Sequence, residues 1–100
     1  MEVIFVKKKL ERCYTDHLQG HKTWGQEVAR KYIQRIDLLQ EASNMSEVKK
    51  LPGLNCHPLK GSRKGKFGIS LHDRWRLVFS LCGEKATIIL VEEVSKHYGD

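Results

Sequence analysis

The sequence has no long apolar run and no order of residues typical of a secretory signal. Its longest largely apolar stretch is the six residues from Ala86 to Val91, whereas a helix that crosses a bilayer needs about 20. The apolar residues Val3–Val6 precede the lysines Lys7–Lys9, which is the reverse of the order in a signal peptide. We therefore expect an intracellular, cytoplasmic protein.

Cysteine is scarce, and the common motifs of metal and nucleotide sites are missing. The 3 cysteines are odd in number and lack CxxC spacing, which argues against disulfides and a zinc ribbon. Cys13, His17 and His21 recur at four-residue intervals, but Gly20 interrupts the helix that would align them as ligands. No GxGxxG, Walker A, HExxH or GxSxG motif occurs. We predict neither a metal nor a cofactor.

Positive charge is concentrated in one part of the chain. There are 18 Lys and Arg against 12 Asp and Glu, a net charge of +6. Residues 57–76 contain six basic side chains and one acidic, a net +5, while residues 1–56 carry +3 and residues 77–100 carry −2. A local field of this kind attracts phosphate groups. Residues 57–76 are therefore candidates for polyanion binding; a charged surface that serves solubility alone is the alternative.

The first half of the chain predicts a strand followed by two or three helices. Val3–Val6 has the β-branched and aromatic composition of a short strand. A helix is expected over Lys7–Leu18, ended by Gly20. Further on, Asn44-x-x-Glu47 is expected to open a short helix.

The clearest predicted helix lies between these two. Thr23-x-x-Gln26 is similar to a capping box and would open it. Its apolar residues recur at three- and four-residue spacing, as on the buried stripe of a helix. They are Trp24, Val28, Ala29, Tyr32, Ile36 and Leu39.

Alternating side chains predict antiparallel strands in the second half. A two-residue turn at His72–Asp73 would pair Leu71 with Arg74 and mix apolar and charged groups on one face. A three-residue loop, His72–Arg74, instead places the large apolar groups together. The pairs that it forms are Leu71 with Trp75, Ile69 with Leu77 and Phe67 with Phe79.

This register also places Arg76 on the opposite face, near Gly68 and Ser70. A further turn at Cys82–Glu84 leads to a last strand over Lys85–Val94. The predicted fold class is α+β, with two or three N-terminal helices packed on one face of a curved, mainly antiparallel sheet of about four to five strands. We expect residues 1–100 to form a single domain. The uncovered face is expected to carry small and basic residues.

The remaining polar residues suit metal-free cleavage of RNA. In that reaction the 2′-hydroxyl loses a proton, the scissile phosphate gains negative charge and the 5′-oxygen takes up a proton as it leaves. A base, a cation and an acid are therefore sufficient. A solvated basic face and a frayed C-terminal end remain the alternatives. Residues of these types are His57, Lys60, Arg63, Lys64, Arg76, His97 and Tyr98.

A longer pattern covers residues 58–79, which read PLKGSRKGKFGISLHDRWRLVF. This run closely resembles the signature of HigB-type killer toxins of the RelE/ParE superfamily, which is roughly L-K-G-x-R-x-G-x-aromatic-x-I-x-I-x-D-x-W-R-I-x-F. Val91–Val94 and His97 are also similar to the end of the family pattern. The resemblance implies a RelE-like domain and the toxin of a type II toxin–antitoxin system. It further implies a ribosome-dependent, metal-independent messenger-RNA endoribonuclease that inhibits translation.

The resemblance also implies partners and roles for particular residues. The partners would be the ribosome, messenger RNA and a helix-turn-helix antitoxin, through which alone the toxin would reach operator DNA. Lys60 and Arg76 would stabilise the scissile phosphate. His57 would be one proton-transfer group, and His97 or Tyr98 the other. The residues that would bind RNA are Arg63, Lys64, Lys66 and Arg74.

Two other functions stay open at this point. The superfamily includes non-enzymatic ParE-like toxins that act on DNA gyrase and lack the catalytic set. A basic RNA-binding module that cuts nothing is the second alternative, although no aromatic RNP-type motif favours it. The presence of Lys60, Arg76 and the His97–Tyr98 pair favours the nuclease.

Overall fold

The computed structural model describes residues 1–96, so His97 and Tyr98 lie outside the described residues. In this range no helix is long and apolar enough to cross a membrane. Four α-helices and five strands occur within residues 1–96. In chain order they are β1 (Glu2–Phe5), α1 (Lys8–Thr15), α2 (His17–Trp24), α3 (Gln26–Glu41), α4 (Met45–Lys50), β2 (His57–Pro58), β3 (Phe67–Ser70), β4 (Trp75–Cys82) and β5 (Ile88–Lys96).

The five strands form one mixed sheet in the order β1-β5-β4-β3-β2. Strand β1 runs parallel to β5, and the other neighbours are antiparallel. The helices pack against this sheet through a shared core, which confirms the predicted α+β class. The core side chains that α3 contributes are Val28, Tyr32, Ile36 and Leu39, and those from the strands are Ile69, Leu77, Phe79, Ile89 and Val91.

The register of the β3–β4 hairpin is the one predicted from the alternation of apolar and polar side chains. Phe67 pairs with Phe79 and Ile69 with Leu77, and the Leu71 amide donates to the Trp75 carbonyl at 2.9 Å. The phenyl rings of Phe67 and Phe79 stack with centroids 5.6 Å apart. Because this face is buried, any slip by one residue would expose the whole apolar set.

The first predicted helix is wrong in where it ends. The helix is interrupted at Asp16. The Asp16 carboxylate accepts a hydrogen bond from the Leu18 amide at 3.1 Å and so caps α2. Gly20 lies inside α2 and is buried. A Cβ atom on Gly20 would lie 3.0 Å from the Ala29 Cβ, so this glycine allows α2 and α3 to pack closely.

The predicted capping box of the main helix is also wrong. Thr23 belongs to α2, where its hydroxyl donates to the Gln19 carbonyl at 2.8 Å. The two helices are separated by Gly25, whose φ of 91° is accessible to glycine at low cost. By contrast, the cap predicted for α4 is confirmed, since the Asn44 side chain accepts the Glu47 amide at 3.0 Å.

The last strand begins later than predicted. A short 3₁₀ turn spans Glu84–Ala86, and Lys85 and Ala86 have left-handed φ values of 60° and 51°. Backbone in this region cannot continue a strand. Strand β5 therefore starts at Ile88 and runs on to Lys96.

Candidate functional site

The sheet face opposite the helices carries the candidate site at its β2–β3–β4 end. Gly68 and Ser70 lie on this face because they alternate with the core residues of β3. The register sets His57 beside Gly68 and Arg76 beside Ser70. The structure therefore brings together two of the predicted catalytic residues, His57 and Arg76.

Gly68 is the point at which these side chains meet. A Cβ atom on Gly68 would lie 3.7 Å from both His57 Cε1 and Arg76 Cδ. The imidazole and the Arg76 side chain thus face the same small space above the glycine. A larger residue at this position would occupy that space.

A groove of about 330 Å³ opens beside this pair. It is lined by polar and charged groups together with one aromatic ring. Its lining residues are Asn55, His57, Ser70, Asp73, Arg74, Trp75 and Arg76. A groove with these walls can accept an anionic, base-bearing ligand such as RNA.

The hydrogen bond of His57 determines which ring nitrogen is basic. His57 Nδ1 lies 2.8 Å from the Asn55 carbonyl oxygen. A carbonyl only accepts, so Nδ1 must carry the proton in this contact. In the neutral ring, Nε2 is then the nitrogen with a free lone pair, as a general base requires.

The uncovered face is less open than the sequence suggested. The segment after β2 folds back onto it, and the Leu59 amide donates to the Lys66 carbonyl at 2.9 Å. Leu59 is buried, and its Cδ2 would lie 3.1 Å from a Cβ atom on Gly68. Val78 on the same face is only 1% exposed. The face that was predicted to be small and basic therefore also includes an apolar contact, in which Leu59 packs over Gly68.

Lys60 and Lys64 flank the turn Gly61–Arg63 that follows this contact. The Arg63 amide donates to the Lys60 carbonyl at 3.3 Å, and the Lys64 amide to the Gly61 carbonyl at 3.1 Å. Along residues 1–96, the exposed side chains of Lys60, Lys64 and Arg74 make no hydrogen bond or ion pair. These three cations are available to a ligand.

Two other predicted RNA-binding residues are held by acidic groups of β5. Arg63 Nη2 lies 2.6 Å from Glu93 Oε1, and Lys66 Nζ lies 2.6 Å from Glu92 Oε1. A register shift in the β4–β5 pairing, where Val78 faces Glu93 and the next residue faces Val91, leaves Glu92 as an extra residue. The bulge explains how two consecutive glutamates both reach basic groups on this face.

The surroundings of Glu92 favour its charged form. Burial raises the pKa of Glu92. The hydrogen bonds from Lys66 and Ser80, together with the charge of Lys66, lower the pKa by more, so that it lies below the ordinary value for glutamate. Its side chain is 19% exposed, which limits screening by water. Glu92 is therefore an ionised partner of Lys66 at neutral pH.

The end of β5 approaches the same groove. Ser95 pairs with Arg76 and Lys96 with Trp75, and Lys96 Nζ lies 5.6 Å from the centroid of the indole ring. His97 and Tyr98 follow directly in the sequence, outside the described residues. Their predicted roles remain predictions.

Residues 1–96 contain no group of three His, Cys, Asp or Glu side chains that could hold a metal ion. Cys13 lies in α1 and is buried, while His17 and His21 lie in α2 beyond the break at Asp16. Burial raises the pKa of the Cys13 thiol, which disfavours the thiolate that metals bind.

The sequence patterns predicted no role for Arg35, Glu92 or Glu93. Arg35 is only 6% exposed and shares the buried side of α3 with Tyr32 and Leu39. Its spacing of three and four residues from these neighbours was the available signal. For Glu92 and Glu93, the signal was an acidic pair that interrupts an otherwise apolar last strand.

Comparison with known protein families shows the family to which the chain belongs. The family model for the RelE-like toxin HigB of type II toxin–antitoxin systems matches residues 3–93. Because the match covers most of the chain, the protein belongs to the HigB-like toxin family. A search of curated proteins found no match.

Solved structures show the same fold at low sequence identity. A YafQ mutant from E. coli is 16% identical with a TM-score of 0.55, and the match covers 95% of this chain and 91% of that one. The YoeB/ParE toxin from Agrobacterium tumefaciens is 19% identical with a TM-score of 0.54, covering 98% and 100%. At these identities the similarity shows the fold alone, since one fold can carry different chemistries.

Proposed function

We propose that this toxin is a ribosome-dependent, metal-independent messenger-RNA endoribonuclease that inhibits translation. The observation that carries the proposal is the approach of His57 and Arg76 to one space above Gly68, beside a groove of suitable chemistry. A base and a cation at one point are two of the three groups that attack of the RNA 2′-hydroxyl on the adjacent phosphodiester requires, and the third is an acid for the leaving 5′-oxygen.

His57 takes the proton in the first step. Its Nε2 accepts the proton of the 2′-hydroxyl, because Nδ1 already donates to Asn55. The 2′-oxygen then forms a bond to phosphorus, and the bond from phosphorus to the 5′-oxygen breaks. The products are a 2′,3′-cyclic phosphate and a 5′-hydroxyl. Arg76 and Lys60 stabilise the negative charge that the phosphate gains, and Arg76 is the better placed since it is half-buried.

The leaving 5′-oxygen requires a proton. His97 or Tyr98 supplies it in this proposal, because both directly follow the strand that ends beside Trp75. Lys64 and Arg74 hold flanking phosphates, and Arg63 and Lys66 join them once Glu93 and Glu92 release them.

The proposed partners follow from the same chemistry and from the family. They are the ribosome with its messenger RNA, in the cytoplasm, and a cognate antitoxin of the helix-turn-helix type. The net +5 of residues 57–76 predicts that association with RNA weakens as salt is raised.

The test is a cell-free translation reaction with a defined messenger, followed by mapping of new RNA ends. Wild-type protein should cut within the translated frame only when ribosomes are present, and His57→Ala and Arg76→Ala should not. His17→Ala and Arg12→Ala are matched controls, since both residues are exposed on the helical side. Intact messenger with normal translation would contradict the proposal, and a gyrase supercoiling assay would follow.

A further inference from the structure

Arg35 is a buried cation that the proposed chemistry does not use. It lies on α3, is 6% exposed, and makes no ion pair with a carboxylate among residues 1–96. Burying a guanidinium without an anion is costly, and such a group is retained only where hydrogen bonds hold it. The position of its hydrogen-bond acceptors is therefore informative.

Two of its three acceptors lie on the segments that carry the candidate site. Arg35 Nε donates to the Ser70 carbonyl at 3.1 Å, and Nη2 donates to the Gly53 carbonyl at 3.4 Å. Nη1 donates to the Gln34 side chain at 2.7 Å. One planar guanidinium thus joins the end of β3 to the loop before β2.

A backbone hydrogen bond extends this connection. The Ser70 amide donates to the Leu54 carbonyl at 2.8 Å, and Leu54 is 1% exposed. Ser70 is therefore tied to the loop through its amide and to Arg35 through its carbonyl. The backbone at Gly53 and Leu54 therefore cannot shift without breaking one of these contacts.

The held segment ends at the base of the proposed reaction. Asn55 follows Leu54 with a left-handed φ of 52°, a conformation that asparagine tolerates better than most non-glycine residues. Its carbonyl accepts the proton of His57 Nδ1 at 2.8 Å. The direction of the Asn55 carbonyl sets both the ring orientation and the tautomer of His57.

We propose that Arg35 is a positioning residue that holds the Gly53–Asn55 backbone so that His57 presents Nε2 to the substrate. This inference rests on the proposed nuclease function. It assigns to α3, on the far side of the sheet, control over the geometry of the base. A displacement of about 1 Å at a catalytic group can cost about a hundredfold in rate.

The test compares Arg35→Met with wild type by two independent measurements. The first is the ¹⁵N NMR spectrum of the His57 ring in the free toxin, at a pH where the ring is neutral. The second is single-turnover cleavage of ribosome-bound messenger at varied ribosome concentration. We expect a mixture of His57 tautomers and a 10- to 100-fold lower maximal rate, with the half-saturating ribosome concentration changed less than about twofold.

Two further variants separate positioning from stability. Arg30→Met makes the same chemical change at an exposed site on α3, and it should match wild type in both measurements. Arg35→Lys keeps the buried charge but cannot reach both carbonyls, so it should give an intermediate tautomer mixture and rate. It also serves where Arg35→Met does not fold.

The results separate this inference from the proposed function. A folded Arg35 variant with an unchanged tautomer overturns the inference, whether or not its rate falls. Failure of both Arg35 variants to fold assigns the residue to stability alone and also overturns it. If the Arg35 variants change the His57 tautomer but the wild-type protein does not cleave messenger RNA, the positioning role is supported and the nuclease function is contradicted.

Discussion

Arg63 and Glu93 form an ion pair across the face that carries the candidate site. Nη2 of the arginine lies 2.6 Å from Oε1 of the glutamate, and Nε donates to the same oxygen at 2.7 Å. Lys66 forms a second ion pair, through Nζ alone, with Glu92. The two pairs reduce the charge that residues 57–76 present, so part of the net +5 is already neutralised by β5. RNA must compete with these carboxylates.

The first prediction follows from this competition. Glu93→Gln should strengthen RNA binding, because the neutral amide releases Arg63 to a phosphate. The plot of log affinity against log salt should steepen by about 0.7 for one added phosphate contact on a single strand. Binding to labelled single-stranded RNA over a salt series measures this. Glu41→Gln, on the distant α3, makes the same charge change as a control; an equal gain in that variant would mean that only net charge matters.

The second prediction concerns the pH dependence of stability. The pKa of Glu92 is lowered in the folded protein, so its charged form stabilises the fold. This contribution is complete above the unfolded pKa of about 4.3 and is lost as pH falls through the lower folded value. Urea unfolding should show that Glu92→Gln is less stable than wild type at pH 7. The difference should shrink below about pH 4, and a constant difference would refute the assignment.

The third prediction concerns the space above Gly68. Gly68→Val should abolish cleavage, since the added side chain fills the space between His57 and Arg76. Gly68→Ala should lower the rate about tenfold while changing the free energy of unfolding by no more than about 1 kcal/mol, because the flexible end of Leu59 can shift. Cleavage rates and urea unfolding of both variants provide the check. Full activity of a folded Gly68→Val protein would show that this space is not used.

The fourth prediction concerns the helical side. The Tyr32 hydroxyl is buried and donates to the Leu10 carbonyl at 2.7 Å, and desolvation, with the nearby Cys13, raises the pKa of this phenol. Tyr32→Phe should cost about 1–2 kcal/mol of stability, because a buried carbonyl loses its partner. Cleavage per folded molecule should not change. Tyr14→Phe is the control, and equal losses in the two variants would contradict the importance of burial.

The hairpin and the main helix could be predicted because their patterns are local. In both strands the apolar side chains occupy every second position. Only one register then buries Phe67, Ile69 and Leu77 together, and this register fixes the length of the loop. The same register predicted that Arg76 lies beside Ser70, so the position of this residue of the site followed from the sequence. The stripe Val28–Leu39 is likewise set by helical spacing alone.

The features that could not be predicted depend on contacts between distant segments. Gly20 is a packing residue rather than a helix stop because of its contact with Ala29. The pairing of Glu92 with Lys66 depends on a bulge that alternation does not reveal. The helical spacing of Arg35 places it on the buried side of α3, but its role depends on the Ser70 and Gly53 carbonyls, which come from distant segments of the chain.

The most direct test of the account is the chemistry of the RNA ends. Messenger cut during cell-free translation is recovered, and the termini at each cut are identified by mass spectrometry and by their reactivity with polynucleotide kinase. Attack by the 2′-hydroxyl predicts a 2′,3′-cyclic phosphate on one fragment and a 5′-hydroxyl on the other, both absent with His57→Ala. A 3′-hydroxyl with a 5′-phosphate at the cuts would show that water is the nucleophile, and it would contradict the role given to His57.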